Sequence, residues 1–394
     1  MKKFLLILFI TVWCVYYLQG SLYAAGSQVA TLSLFAGLLL CVYGWMKCYS
    51  QFSMPKMLNT MSLLLLMFAL YGIILMISGT QIYRSFDHFQ YTGARYITST
   101  FSSLCPVFFA YLFTRDGVLQ EKHFKLLFFV FFAVCTARYI GYANAREFVG
   151  IYDTDGMTTN NLAYDFLGLL PMVCVFRKKP VIQYIAILAI LAFIIYSVKR
   201  GAILIGLLSV AYFILKNMTA GRKKGIKLSY VILAIIVVAV AFYFIEYMVT
   251  TNDFFNTRLE ATMEGDSSAR DEYYLFFLNY LGSLESIPKL LFGGGAYYTV
   301  VLLGNLAHND WLEILICNGI LGAIIYMVYW IRFYRSTRFS RNTDIYLPLM
   351  LLFISMAAKT LFSMSYASTP LYASFYLGFL LATLQNNGIK QLKG

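Results

Sequence analysis

The feature that most constrains this chain is a series of long apolar runs with little polar sequence between them. About twelve runs approach the length of about 20 residues that a helix needs to cross a bilayer. They lie at residues 4–22, 28–46, 57–78, 97–114, 126–142, 161–176, 181–198, 201–216, 228–249, 311–331, 345–365 and 369–385. With 60% hydrophobic and only 12% charged residues, the 394-residue chain has more apolar surface than a soluble core can bury. The sequence therefore predicts an all-α, polytopic integral membrane protein, a single domain with about 12 transmembrane helices.

The distribution of Lys and Arg predicts the orientation of these helices. If the N-terminus is inside, the loops on that side hold 21 of the 31 Lys and Arg residues, so those loops and both termini are predicted to be cytoplasmic. The remaining sequence has 10 basic and 15 acidic residues. The net charge of +13 thus reflects topology, and the basic segment 221–227 is interpreted as a cytoplasmic anchor. No nucleic-acid partner is predicted.

Cysteine usage gives no sign of a disulfide framework or a metal site. All seven cysteines lie within or beside apolar runs, where free cysteine behaves as a small hydrophobic residue.

The longest segment on the predicted outer side, residues 250–310, is the candidate functional region. Its roughly 60 residues exceed an ordinary connection between helices, and long loops of this kind are usually functional. It includes Arg258, Arg270, a glycine run at 293–295 and His308.

His308 begins the stretch AHNDWLEILICNGILG at residues 307–322. Asn309 or Asp310 can cap a helix that begins near Trp311, and the 21 residues to Ile331 would give about 31 Å, which predicts that His308 lies at the outer membrane rim. A histidine is neutral for much of the time near pH 7 and can accept a proton. A structural loop histidine is the alternative. Gly319 and Gly322, three residues apart, favour close helix packing.

Arg200 lies where two apolar runs are nearly continuous. The 35 residues from Val181 to Leu215 would make a helix of about 52 Å, too long for the roughly 30 Å hydrocarbon core. The chain must therefore turn near Lys199 and Arg200. An arginine there either binds an anion or marks the membrane interface.

Arg258 and Arg270 lie among several carboxylates, so ordinary salt bridges are one interpretation. Diphosphate binding is the other, because a planar guanidinium matches phosphate oxygens and keeps its charge. The glycines 293–295 lack the Lys-Ser/Thr of a phosphate loop and are interpreted as a tight turn. Tyr297 and Tyr298 could stack on a sugar or belong to the aromatic belt.

Taken in order, these pieces resemble the O-antigen ligase and polymerase family of bacterial envelope enzymes. The resemblance rests on SVKRG, on Arg258-x11-Arg270, on FGGG and above all on His-Asn-x9-Gly-x-x-Gly, which begins at His308. TTNNLAYDFLGLLPMV at 158–173 also resembles the Asn-containing start of a middle helix in that family. The likeness covers roughly residues 155–335, and the N-terminal third only by hydropathy.

The resemblance implies a membrane glycosyltransferase of the GT-C type at the outer face of the bacterial inner (cytoplasmic) membrane. Its donor would be a glycan on undecaprenyl diphosphate, with no metal, cofactor or nucleotide sugar. By position, Arg200, Arg258 and Arg270 would hold the diphosphate and His308 would act as the base on the acceptor hydroxyl. Tyr297, Tyr298 and Asn309 are candidates for glycan or loop contacts. Membrane lipid and other proteins of envelope polysaccharide assembly are candidate partners.

Three functions stay open at this point. A Wzy-type polymerase, which extends a lipid-linked glycan, is favoured because only about ten residues, 298–307, separate the tyrosine pair from His308. A WaaL-type ligase would use lipid A-core as the acceptor instead. A flippase for lipid-linked sugar would have charges distributed through its helices at mid-membrane, and Lys359 is the clearest interior charge in the sequence.

Overall fold

The computed structural model describes residues 1–24, 26–84, 89–145, 161–219, 228–264 and 270–393. Within these ranges the chain is helical except for one two-stranded hairpin, which confirms the predicted all-α class. The basic segment 221–227 lies outside the described residues.

The elements of the described residues follow one another along the chain. They are α1 (Lys2–Tyr17), α2 (Gln28–Gln51), α3 (Lys56–Ser78), β1 (Ile82–Tyr83), β2 (Gln90–Tyr91), α4 (Gly93–Leu104), α5 (Pro106–Arg115), α6 (Glu121–Ala145), α7 (Ala163–Leu169) with a 3₁₀ continuation (Leu170–Phe176), α8 (Pro180–Tyr196), α9 (Arg200–Thr219), α10 (Leu228–Thr251), α11 (Asp253–Met263), α12 (Arg270–Gly282), α13 (Ile287–Phe292), α14 (Tyr298–Leu303), α15 (Asp310–Phe339), α16 (Tyr346–Phe362), α17 (Ser365–Ser368) and α18 (Leu371–Lys393).

Seven helices in the described residues are long and apolar enough to cross a membrane, by length and composition. They are α2, α3, α4 with α5, α6, α9, α10 and α15. The protein is therefore a multi-pass membrane protein, but the count of twelve spans is not confirmed. Three further apolar helices, α7 with its 3₁₀ continuation, α8 and α16, have at most 17 residues. At 1.5 Å per residue these are about 25 Å long or less, short of the roughly 30 Å core.

The helix ends follow local sequence chemistry. The Ser27 side chain accepts a hydrogen bond from the Ala30 N–H at the start of α2, as an N-cap residue does. Gly79 ends α3 with φ at 64°, a left-handed conformation that favours glycine. Pro106 begins α5, where its missing N–H costs no helical hydrogen bond.

The core between α1, α5 and α18 is aromatic and closely packed. The Phe9 ring stacks on the Phe109 ring at 4.1 Å between centroids and on the Phe375 ring at 5.3 Å. A Cβ on Gly378 would lie 2.1 Å from the Val107 carbonyl oxygen. A glycine is thus needed for α18 to approach α5 this closely, as small residues allow between membrane helices.

Helix α15 does not run straight through the membrane. It breaks at Gly319, where φ is 68° and ψ is −170°. Tyr326 donates a hydrogen bond to the Asp310 carboxylate, although sixteen residues of straight helix would separate them by about 24 Å. Trp311 also contacts the Tyr326 ring, at 5.2 Å between centroids. Residues 310–318, here the short arm, therefore fold back on residues 320–339, the long arm.

This reversal corrects two sequence-based expectations. The prediction of one continuous helix over 311–331 is wrong, and the rim position of His308, which follows only from such a helix, is not supported. Asp310 lies level with Tyr326, about 10 Å along the long arm from the turn. Gly319 and Gly322 do not share a continuous helical face. Gly322 packs against α3, since its Cβ would lie 3.3 Å from the Met67 sulfur, whereas Gly319 packs against the end of α13, since its Cβ would lie 2.4 Å from the Leu291 carbonyl oxygen.

The glycines at 293–295, here the glycine segment, stabilise the reversal. The Gly294 N–H donates to the Ile316 carbonyl at 2.9 Å, and the Gly295 N–H donates to the Cys317 carbonyl at 3.0 Å. These carbonyls belong to the last turn of the short arm, where carbonyl groups have no N–H donor within the helix itself. The glycine segment is therefore a helix cap, which is a more specific role than the predicted tight turn.

Replacing Gly319 with alanine should strongly destabilise the protein. A Cβ there would lie 2.4 Å from the Leu291 carbonyl oxygen and 2.5 Å from the Gly293 nitrogen, and its φ and ψ are accessible essentially to glycine alone. We expect a loss of at least about 1–3 kcal/mol from backbone strain, seen as a lower thermal midpoint in detergent. The control is Gly282→Ala, whose Cβ meets nothing within 4 Å. Equal midpoints for the two variants would contradict the reversal.

The predicted orientation can be tested at two exposed positions. Ser283 follows α12 and Asn342 follows the long arm of α15. If the Lys and Arg distribution is interpreted correctly, Ser283→Cys should react with an impermeant maleimide on intact cells, and Asn342→Cys only after permeabilisation. The parental chain is the background control, because six of its seven thiols are buried. Reversed labelling would overturn the orientation.

Candidate functional site

Polar groups from three other parts of the chain lie near His308. Lys199 of the α8–α9 turn, Arg270 at the start of α12 and Arg84 beside the β-hairpin each act electrostatically on its imidazole. Arg270 also acts on Tyr164, near the start of α7. The structure thus brings Arg270 and His308 together, two residues that the sequence placed in one site.

The backbone at His308 is held in a strained conformation from both sides. Its φ is 53°, which is uncommon for a residue other than glycine. On one side the Ala307 N–H donates to the Glu313 carboxylate at 2.9 Å. On the other side the Asn309 side chain accepts from the Trp311 N–H at 2.9 Å and the Leu312 N–H at 3.2 Å. Strain of this kind persists only where surrounding contacts over-determine it, and it is often found at functional sites.

The surroundings of His308 keep its imidazole neutral. Burial, followed by the nearby cations Lys199, Arg270 and Arg84 in that order of effect, lowers the pKa of His308 from its ordinary value of 6.5 to about 4. Both causes disfavour the protonated ring, since burial removes water and a neighbouring positive charge repels another. At pH 7 the side chain can accept a proton.

Two buried carboxylates in the first turn of α15 fix the segments around His308 by accepting hydrogen bonds from them. Asp310, fully buried, accepts from the Ser365 N–H at 2.8 Å and the Tyr366 N–H at 3.2 Å. Glu313, also fully buried, accepts from the Thr299 hydroxyl at 2.8 Å as well as from Ala307. A buried charge is stable only when it is paired or hydrogen-bonded, and each carboxylate ties a separate segment to the short arm.

Sequence reasoning considered Asp310 only as a helix cap and did not consider Glu313. Asn309, one of the two candidates that the sequence offered, is the capping residue. A signal was present in the sequence, because two acidic residues at the start of an apolar run must find partners inside the protein.

Lys359 belongs to the same region and is not an isolated charge at mid-helix. It lies in the last turn of α16, where its ammonium donates to the Ser368 carbonyl at 2.6 Å. It interacts electrostatically with Asp165 and Asp310, and Asp165 is also ion-paired with Arg138. These buried charges are grouped near the ends of helices that meet at the site.

Arg200 is the first residue of α9, and the predicted turn between α8 and α9 is confirmed. Helix α8 ends at Tyr196, and Val198 has a φ of 51°. Arg258 lies in α11, but its side chain is outside the described residues. Its predicted contact with a diphosphate therefore stays a prediction.

The two tyrosines after the glycine segment differ in their surroundings. Tyr297 is 6% exposed, and its ring packs against the rings of Tyr91 at 4.6 Å and Tyr96 at 5.0 Å. This is an internal loop contact, which leaves no face for a sugar in this conformation. Tyr298 is partly buried, with the Lys289 ammonium 5.7 Å from its ring centre.

Two cations near His308 were not selected from the sequence. Lys199 was noted only as part of a turn. Arg84 follows β1. Its backbone N–H donates to the Phe89 carbonyl at 2.9 Å, and its guanidinium lies 5.4 Å from the Phe89 ring centre. More than 200 residues separate Arg84 from His308, and no local pattern predicts that approach.

No family model matches the sequence, and no curated protein matches it either. The likeness to O-antigen ligases and polymerases therefore rests on the motif residues themselves.

The protonation of His308 gives a direct test of the site. In protein labelled with ¹⁵N at histidine, with His308→Gln used for assignment, the His308 resonance should titrate near pH 4. Arg270→Gln should raise this pKa, though not to 6.5, because burial is the largest cause of the shift. Titration near pH 6.5 in the parental protein would show that the imidazole is solvated and remote from the cations.

Proposed function

We propose that this protein is a membrane glycosyltransferase that uses a glycan on a polyprenyl diphosphate, with undecaprenyl diphosphate as the carrier, and extends it as an O-antigen, capsule or exopolysaccharide polymerase. The observation that carries the proposal is a neutral imidazole, His308, surrounded by Arg270, Lys199 and Arg84. A proton acceptor beside fixed cations suits a reaction in which a hydroxyl loses a proton while an anion departs.

The chemistry assigns a separate task to each group. The acceptor hydroxyl oxygen forms a bond to the anomeric carbon of the donor sugar as the bond from that carbon to the diphosphate oxygen breaks. The diphosphate leaves with the electron pair, and His308 takes the hydroxyl proton. Fixed cations stabilise the charge that develops on the leaving group with little reorganisation, and one such preorganised donor typically contributes about 2.7–4 kcal/mol.

Donor binding would also activate the base. A histidine with a pKa near 4 is a weak base at neutral pH, and general base catalysis is most effective when the pKa is near the working pH. A diphosphate between the cations would offset their repulsion and raise the pKa of His308. The base would thus gain strength once the donor is in place.

A groove in the membrane region fits a lipid-linked donor. It lies between the long arm of α15 and α16, has a volume of about 480 Å³ and is lined mostly by apolar and aromatic side chains, including Trp311 and Trp330, with Arg335 and Arg338 toward the end of the long arm. Trp311 is three residues from His308, so a lipid chain in the groove would begin next to the proposed reaction centre. A soluble nucleotide sugar has no lipid chain that could occupy such a groove.

The positions of the buried charges favour an enzyme over a flippase. Asp165, Asp310 and Lys359 each lie in the first or last turn of a helix that ends at the site. A transport pathway requires polar groups along its length, whereas these charges are grouped at one place. The ligase alternative, with lipid A-core as the acceptor, shares the same donor site and differs only in the acceptor. We place the reaction at the outer face of the bacterial inner membrane, with both termini cytoplasmic.

The proposal is tested with purified protein in detergent, given undecaprenyl-diphosphate-linked glycan and no ATP or nucleotide sugar. A polymerase lengthens the glycan, whereas a ligase transfers it only when lipid A-core is added. An inert protein that still moves lipid-linked sugar across vesicle membranes would be a flippase.

Variants separate the predicted roles within that assay. His308→Ala should lower turnover by about 10² to 10⁴, the range for general acid–base catalysis, with donor affinity nearly unchanged. Arg270→Ala should weaken both donor binding and turnover, because the diphosphate is charged before and during the reaction. Arg270→Lys should not restore full activity, since an ammonium lacks the two-pronged geometry.

The control for these variants is Arg341→Ala, an exposed arginine beyond the long arm that should leave both quantities unchanged. All variants are first checked for folding by their thermal midpoints. Wild-type turnover in His308→Ala would exclude the base role.

A further inference from the structure

The hydroxyl of Tyr164 is buried without a hydrogen-bond partner among the described residues. The residue is 4% exposed. The Ser363 side chain lies within reach of this hydroxyl, but the two hydroxyls do not have the geometry of a hydrogen bond in the structure. Most buried polar groups in folded proteins are hydrogen-bonded, and a buried hydroxyl left without a partner destabilises the fold. An exception of this kind requires a physical reason.

The hydroxyl lies beside the elements that surround His308. A Cβ on Gly201 would be 2.8 Å from the Tyr164 hydroxyl oxygen and 3.0 Å from Cβ of Phe362, so the start of α9 is in direct contact with it. Arg270 acts on Tyr164 as it does on His308. On the ring side, the Lys359 ammonium lies 4.8 Å from the ring centre and helps to fix the position of the ring.

We infer that Tyr164 is a neutral hydrogen-bond donor in the anion site, and that its hydroxyl donates to a phosphate oxygen of the bound diphosphate. This rests on the proposed function for the identity of the anion. The cations already supply positive charge, so the tyrosine adds direction to binding without adding repulsion around His308. A hydroxyl that is unpaired in the free protein and paired in the complex contributes more to affinity than one that must first break a hydrogen bond.

The test compares Tyr164→Phe with Tyr329→Phe in the full-length protein. Tyr329 is an equally suitable control, since it is 1% exposed and its hydroxyl also has no partner in the described part of the chain, but it lies on the long arm of α15. Both variants remove only an oxygen that has no hydrogen-bond partner among the residues that the structure describes. Their thermal midpoints in detergent should therefore equal or exceed that of the parental protein.

Only Tyr164→Phe should weaken binding of inorganic diphosphate, measured by calorimetry at fixed pH and ionic strength. A hydrogen bond to a charged acceptor predicts a loss of about 10- to 100-fold in affinity. Tyr329→Phe should bind as the parental protein does. Ser363→Ala should also bind normally, because the serine is not the partner that holds the hydroxyl.

Two results would overturn the inference. One is unchanged diphosphate affinity in Tyr164→Phe. The other is a lowered thermal midpoint in both Tyr164→Phe and Ser363→Ala, which would show that the two hydroxyls bond to each other. Failure of the proposed function has a separate outcome: if diphosphate binds with the expected dependence on Tyr164 but no glycan is transferred, the anion site stands and the glycosyltransferase assignment does not. A parental protein that binds no diphosphate would exclude both.

Discussion

The hydrogen bonds of Asp310 are the interaction on which the rest of the site depends. Its carboxylate, fully buried, joins the start of the short arm of α15 to Tyr326 on the long arm and to the backbone of α17. Without those partners a buried carboxylate would be very costly, so the three segments and the carboxylate stabilise one another. His308 is two residues away, and its position is fixed because Asp310 is fixed.

This arrangement also explains how irregular backbone is tolerated between membrane helices. Helices α8 and α16 end near the site rather than continuing across a full bilayer, and the short arm begins there. Backbone groups in a membrane must be satisfied within the protein or must line a cavity. Here Asp310 satisfies two N–H groups of α17, Glu313 satisfies that of Ala307, and the glycine segment satisfies the carbonyls at the other end of the arm.

The sequence predicted what depends on length and local chemistry. The turn at Lys199 follows because 35 apolar residues are too many for one span, and the cap at Asn309 follows from its side-chain oxygen. The reversal at Gly319 could not be predicted, because apolar periodicity continues across the break. The sequence also does not show whether a glycine adopts a negative or a positive φ. The approach of Arg84 to His308 depends on how α3, the hairpin and α15 pack, and that is a property of the whole fold. Tyr297 was interpreted as a sugar contact or as part of the aromatic belt, because an aromatic residue after a glycine run gives no indication of its burial.

The reversal of α15 has a consequence for spacing. The short arm is fixed at its start by Asp310 and at its end by the glycine segment, whose N–H groups donate to the carbonyls of Ile316 and Cys317. Its nine residues, about 13 Å of helix, therefore set the distance between these two fixed ends. One inserted residue would turn everything on one side of it by about 100°, so that either the two carboxylates or the two carbonyls would face the wrong neighbours. The number of residues between Asn309 and Gly319 is therefore fixed by the structure, and apart from Asp310 and Glu313 the residue types in this interval can vary more freely than their number.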